Sequence, residues 1–93
     1  MAVPSASVLV QAAKIALAQD RPIYLDYWAG SLEKTIVIGI QNEDSKCLIK
    51  SDSEYTSEIT KIFRVKDEAV FIVLTENSLY IVSSDIPVKK IVS

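Results

Sequence analysis

Any chemistry in this chain has to come from twelve carboxylates, ten lysines and arginines, four tyrosines, one tryptophan, one thiol and the serine and threonine hydroxyls, because its 93 residues include no histidine. Histidine is the commonest general base near neutral pH and the commonest nitrogen ligand for metals. Without it, neither a Ser-His-Asp nor a Cys-His arrangement can be assembled. Cys47 lies between Lys46 and Leu48 in an extended stretch, which suits a small core hydrophobe rather than an activated thiolate. The acids Asp52, Glu54 and Glu58 lack the sixth-position glycine and the terminal glutamate of an EF-hand loop. Gly30 and Gly39 are the only glycines, so no phosphate-cradling loop can form. The expectation is a non-catalytic chain with no cofactor and no metal, and a small ligand-binding or enzymatic domain is the weakest alternative.

Two clusters are candidates for binding. Tyr24-Leu25-Asp26-Tyr27-Trp28 holds three of the seven aromatics. Aromatics on a strand can stack single-stranded nucleic acid, but such platforms sit in basic grooves, and here the nearby charges are Asp20, Arg21 and Asp26. In a strand of this register Tyr24 and Trp28 share a face with Asp26 and are expected to form a contact face for a protein partner. The second cluster is basic: Lys61, Arg64, Lys66, Lys89 and Lys90 all fall in the C-terminal third. If segments 58–65 and 88–92 are neighbours, these residues form a positive patch opposite Glu43, Asp44, Asp52, Glu54 and Glu58. Small-barrel nucleic-acid binding through that patch is the alternative function. Charges on edge strands that discourage aggregation are the simpler account. A net charge of −2 and an isoelectric point near 5.0 also weigh against a phosphate-neutralising protein.

The elements that must position these residues begin with a helix over 5–19. Ser5 or Ser7 can cap it, alanine and leucine dominate it, and Asp20-Arg21-Pro22 ends it. At 100° per residue, Ser7, Gln11 and Lys14 gather on a narrow polar stripe, and apolar residues cover the rest. One sheet cannot cover so wide an apolar arc. The excess points to self-association as a dimer or small ring, with Val8, Leu9, Ala12, Ile15 and Ala16 as the expected contacts.

From Pro22 onward the chain reads as short β-segments at about 22–28, 34–41, 46–50, 58–65, 69–75, 78–83 and 88–92. The pair 69–75 and 78–83, separated by Glu76-Asn77, is a hairpin signal, and 69–75 is apolar on both faces, as in a strand covered on two sides. The polar stretch Ser51–Ser57 reads as a connecting loop whose hydroxyls sit beside acids. The expected fold is a single α+β domain over 1–93, with an N-terminal helix packed on a strongly bent antiparallel meander or small barrel of 5–7 strands. This element order is similar in outline to small Sm-like barrels, a likeness of shape that brings no motif with it.

The remaining expectations are broader. A single cysteine excludes a disulfide framework and fits a reducing, cytoplasmic setting. Nothing before Lys14 is basic apart from the amino terminus, so residues 8–18 do not read as a secretory leader, and they are too short to span a membrane. A small chain of this kind suits a structural or accessory protein, such as one carried by a virus or mobile element. The function expected is a non-catalytic protein–protein interaction or assembly module that self-associates through its apolar helix, a sheet edge, or both.

Overall fold

Two adjacent strands with apolar side chains on both faces organise the molecule, and the other elements are arranged to cover them. The computed structural model describes residues 3–43, 45–51, 53–65 and 67–91. The elements in chain order are α1 (Ala6–Gln19), β1 (Ile23–Tyr24), α2 (Trp28–Leu32), β2 (Val37–Asn42), β3 (Ser45–Ser51), β4 (Glu54–Tyr55), β5 (Ile59–Val65), β6 (Val70–Thr75), β7 (Leu79–Ser83) and β8 (Val88–Lys90). The strands form two four-stranded sheets, ordered β1-β7-β6-β5 and β4-β3-β2-β8.

Strand alternation divides β6 and β7 between two cores. Val70, Ile72, Leu74, Leu79 and Ile81 face one side, where they meet Val8 and Ala12 of α1 together with Trp28. Val73 and Val82 face the other side, where Ile38 and Leu48 of the second sheet and Ile36, just before β2, close over them, with Phe71 and Tyr80 packed alongside. The result is a helix, a sheet and a second sheet in three layers. The first sheet is buried on both faces.

A bulge supplies the remaining part of this arrangement. In the β5–β6 pairing Ile59 lies opposite Thr75 but Lys61 lies opposite Leu74, so one extra residue is accommodated at Thr60. The shift lets Ile59 and Ile62, three residues apart, both face the inter-sheet core, while Phe63 and Val65 face the helix.

The helix is held at both ends. Ser5 Oγ accepts from the Val8 amide at 3.3 Å and donates to Glu68 Oε1 at 2.8 Å, which ties the N-terminus to the β5–β6 turn. At the other end Asp20 adopts a left-handed conformation with φ 54°, and Arg21 Nη1 donates to the Gln19 and Asp20 carbonyls at 2.9 and 3.3 Å. These bonds satisfy carbonyls that the helix leaves open.

Several expectations are corrected. Among the described residues the sheets do not close into a barrel, and the strands number eight rather than five to seven. They are mixed rather than purely antiparallel, because β1 joins β7 and β8 joins β2 in parallel. Segment 22–28 is not one strand: the chain turns at Asp26-Tyr27, the Trp28 amide bonds to the Leu25 carbonyl at 3.1 Å, and α2 begins. The polar 51–57 stretch contains β4, paired with β3 at Ile49–Tyr55 and Ser51–Glu54.

The short helix α2 is fastened through Ser31, which is 1% exposed. Its hydroxyl donates to the Trp28 carbonyl at 2.6 Å and accepts from the Ser83 amide at 2.9 Å. Ser31→Ala leaves that strand amide buried without its partner. The expected loss is about 1–3 kcal/mol of unfolding free energy, measured by urea denaturation; an unchanged midpoint would show that this tether contributes nothing.

Candidate interaction surfaces

The face of α1 expected to bind a second copy is used internally. Val8 and Ala12 are fully buried against the molecule's own first sheet, and Leu9, Ile15 and Ala16 are half-buried against the same core. This corrects the sequence expectation: the sheet underneath is apolar enough to absorb all five. What the helix leaves in water is a different set, with Ala6, Val10, Ala13 and Leu17 all exposed, Val10 at 53% and Leu17 at 85%. Their spacing of four, three and four residues places them within an arc of about 60° on the side away from the sheet. Ser7 and Lys14 border this stripe on one flank and Leu9 and Ala16 on the other. The heptad-like spacing is visible in the sequence, but the wide apolar arc around it hid where the covered part ends.

The expected partner face of Tyr24 and Trp28 does not exist as a unit. Trp28 opens α2 and is 8% exposed in the helix-side core, whereas Tyr24 lies on β1 and is 44% exposed. The indole Nε1 of Trp28 is buried and meets no hydrogen-bond partner among the described residues. The aromatic grouping that does form was not anticipated. Tyr80 stacks between Tyr24, at 5.9 Å between ring centroids, and Tyr27, at 5.1 Å, with Lys50 Nζ 5.6 Å from the Tyr27 ring.

The basic patch is likewise dispersed. Lys61 and Arg64 are exposed on β5, and Lys89 and Lys90 on β8, but these strands belong to different sheets, so the premise that they are neighbours fails. Lys66 lies outside the described residues, as do Asp44 and Asp52 of the facing acidic set. Lys61 folds over Phe63, with Nζ 4.9 Å from the ring centroid. Arg64 lines an open cleft of about 700 Å³ with Asp67, Glu68 and Asp85, so its surroundings are mostly acidic. A second cleft of about 340 Å³, on the outer face of the second sheet, is lined by Gln41, Ile49, Ser51, Tyr55 and Ile91. Ile49 and Ile91 lean over Gly39 there, and a Cβ at that position would come within 2.6 Å of Ile91 Cδ1.

Electrostatics at these sites favour neutral forms. Burial pushes the Cys47 thiol up, away from the thiolate a nucleophile needs. Burial also raises Tyr80, and it raises Tyr27 to about 12, with the Glu54 carboxylate adding to the effect. None of the three lines either cleft. No group of three or more carboxylates or thiols placed to hold a metal ion occurs among the described residues. No described helix is long and apolar enough to cross a membrane.

No protein-family model matches the chain, and neither a curated protein nor a solved structure matches it.

The tyrosine grouping has a measurable consequence. Tyr27 ionises near 10.0 when unfolded and near 12 when folded, so it stabilises the fold below pH 10 and that contribution is lost as the pH rises towards 12. Thermal unfolding should therefore show a steep fall in Tm between about pH 10 and 12, and Tyr27→Phe should flatten it. Parallel curves for the two proteins would mean that Tyr27 does not carry the alkaline transition.

Proposed function

We propose that this chain is a non-catalytic protein-interaction module that self-associates through the outward face of α1. The observation that carries this reading is the aligned exposure of Val10 and Leu17, flanked by Ala6 and Ala13, on a helix whose opposite side already anchors it to its own sheet. A single exposed leucine is ordinary on a protein surface. Apolar residues aligned over three turns on a capped helix are the pattern used when one helix packs on another.

A non-catalytic role is supported by the neutral state of the buried Cys47 thiol, of buried Tyr27 and of half-buried Tyr80, which are set for packing rather than proton or acyl transfer. Nucleic-acid binding receives no comparable support, because Lys61 and Arg64 sit on one sheet and Lys89 and Lys90 on the other, and Arg64 shares its cleft with Asp67, Glu68 and Asp85.

Sedimentation velocity from low micromolar to roughly millimolar concentration tests the proposal. The native chain should show a monomer–dimer equilibrium. The double variant Val10→Glu, Leu17→Glu should weaken association at least tenfold while leaving the unfolding midpoint close to native, since Leu17 is almost wholly and Val10 about half exposed in the monomer. Val8→Glu is the contrasting control, because it buries a charge in the helix-side core and should unfold the chain. A monomer at every concentration overturns the proposal, as does a dimer that the double variant forms equally well.

A further inference from the structure

Strand β8 is fastened mainly through its backbone, and the seat it occupies has the build of a peptide site. Val88, Lys89 and Lys90 are all exposed. The strand pairs in parallel with β2, where the Ile38 amide donates to the Pro87 carbonyl at 2.9 Å and the Ile91 amide donates to the Ile40 carbonyl at 2.8 Å. The side chain that seats its downstream end is Ile91, which lies over Gly39, where a β-carbon would collide with both Ile91 and Ile49. Upstream, Ile86 is buried in the inter-sheet core, so the chain stays anchored there whether β8 is paired or not.

We propose that the β2 edge and the hollow over Gly39 form an acceptor groove for an extended segment of another protein. That segment adds parallel to β2 in the register of β8 and carries an aromatic side chain at the position of Ile91. Strand β8 is the intramolecular occupant that it displaces.

The chain itself shows which backbone the groove accepts, because β8 is seated in it. Strand addition of this kind takes its affinity from main-chain bonds and its specificity from pockets that receive alternate side chains. Both parts are present. Without β8, the six-residue strand β2 becomes an open edge at Ile38 and Ile40, and the absent side chain of Gly39 leaves the pocket. Because the side chains of β8 are exposed, its departure uncovers little apolar surface beyond the groove.

The type of side chain follows from the space that β8 leaves unfilled. Ile91 forms one wall of the cleft of about 340 Å³ and does not fill it. Ile49 and the Tyr55 ring, 63% exposed, supply further apolar wall, and Gln41 and Ser51 supply polar groups. Those surroundings suit an aromatic ring with its own N–H or O–H, a tryptophan or tyrosine. Competition sets the same preference. A tethered strand acts at an effective concentration on the order of millimolar, so a free segment identical to β8 does not displace it at micromolar concentration. A segment that gains the cleft contacts does.

This groove is separate from the outward face of α1, and the test is run with Val10→Glu and Leu17→Glu in every chain so that helix association does not enter. Two fluorescein-labelled peptides with the sequence of residues 86–91, one native and one carrying Ile91→Trp, are titrated with the full chain and followed by anisotropy. The tryptophan peptide should bind roughly tenfold more tightly than the native peptide. Ile91→Ser in the chain loosens β8 and should tighten binding of the tryptophan peptide by roughly a further tenfold. Tyr55→Ala should weaken the tryptophan peptide several-fold and leave the native peptide unchanged, with circular dichroism confirming that the chain is folded. No rise in anisotropy at millimolar chain, with or without Ile91→Ser, overturns the proposal. Equal affinity for the two peptides, indifference to Tyr55→Ala, or weaker binding to the Ile91→Ser chain overturns it as well.

Discussion

The two-faced apolarity of β6 and β7 is the constraint from which the rest of the molecule follows. Val70, Ile72, Leu74, Leu79 and Ile81 need cover on one side of their sheet, and Val73 and Val82 need it on the other. A chain of this size has one long helix and one further group of strands to offer, and each takes one face. Once α1 is placed on the sheet, its orientation is set by Val8 and Ala12 underneath, and the side carrying Val10 and Leu17 has nowhere to go but outward. The exposure of that stripe is thus a by-product of how the central strands are covered. It is not a defect in helix packing.

The same constraint gives the C-terminal charges a structural role. Covering two faces leaves four sheet edges, and three of them are strands of only two or three residues, β1, β4 and β8. Strand β5 is the exception, an edge of seven residues. It carries a bulge at Thr60 and exposed Lys61 and Arg64, which are the usual devices for preventing an edge from recruiting another strand. Edge protection therefore accounts for these two residues without a nucleic-acid partner.

How much of this was legible in the sequence depended on whether a pattern was local. The helix, its serine cap and its stop before Pro22 rest on neighbouring residues and are found where the spacing puts them. The double-sided strand at 70–75 was equally clear, because period-two alternation simply disappears there. The parallel pairings of β1 with β7 and β8 with β2 join segments far apart in the chain, and no short-range signal encodes them. Trp28 illustrates a different failure. Aromatic and β-branched residues at 23–28 match a strand pattern, but the turn at Asp26-Tyr27 rotates Trp28 into the helix-side core, while Tyr27 enters the inter-sheet core. In the candidate site the width of the apolar arc of α1 was readable from the spacing alone. Which portion the sheet would claim depended on tertiary packing, so the buried half was taken for the free one.

The energetics of such a helix pair explain why a surface of this kind can remain compatible with a folded, dissociable monomer. Fully covering a valine or leucine stabilises by about 1.5–3 kcal/mol, and Val10 is already nearly half covered while Leu17 is almost entirely in water. Two such pairs would therefore contribute at most roughly 4–8 kcal/mol on association. Losing independent motion costs about 4–15 kcal/mol, which leaves a balance near zero that is tipped by how closely the alanines let the helices approach. Replacing either alanine with a larger residue would widen the gap between the helices and remove contacts along the whole seam, even though it adds apolar surface. In the proposed association through this stripe, shape therefore counts as well as area.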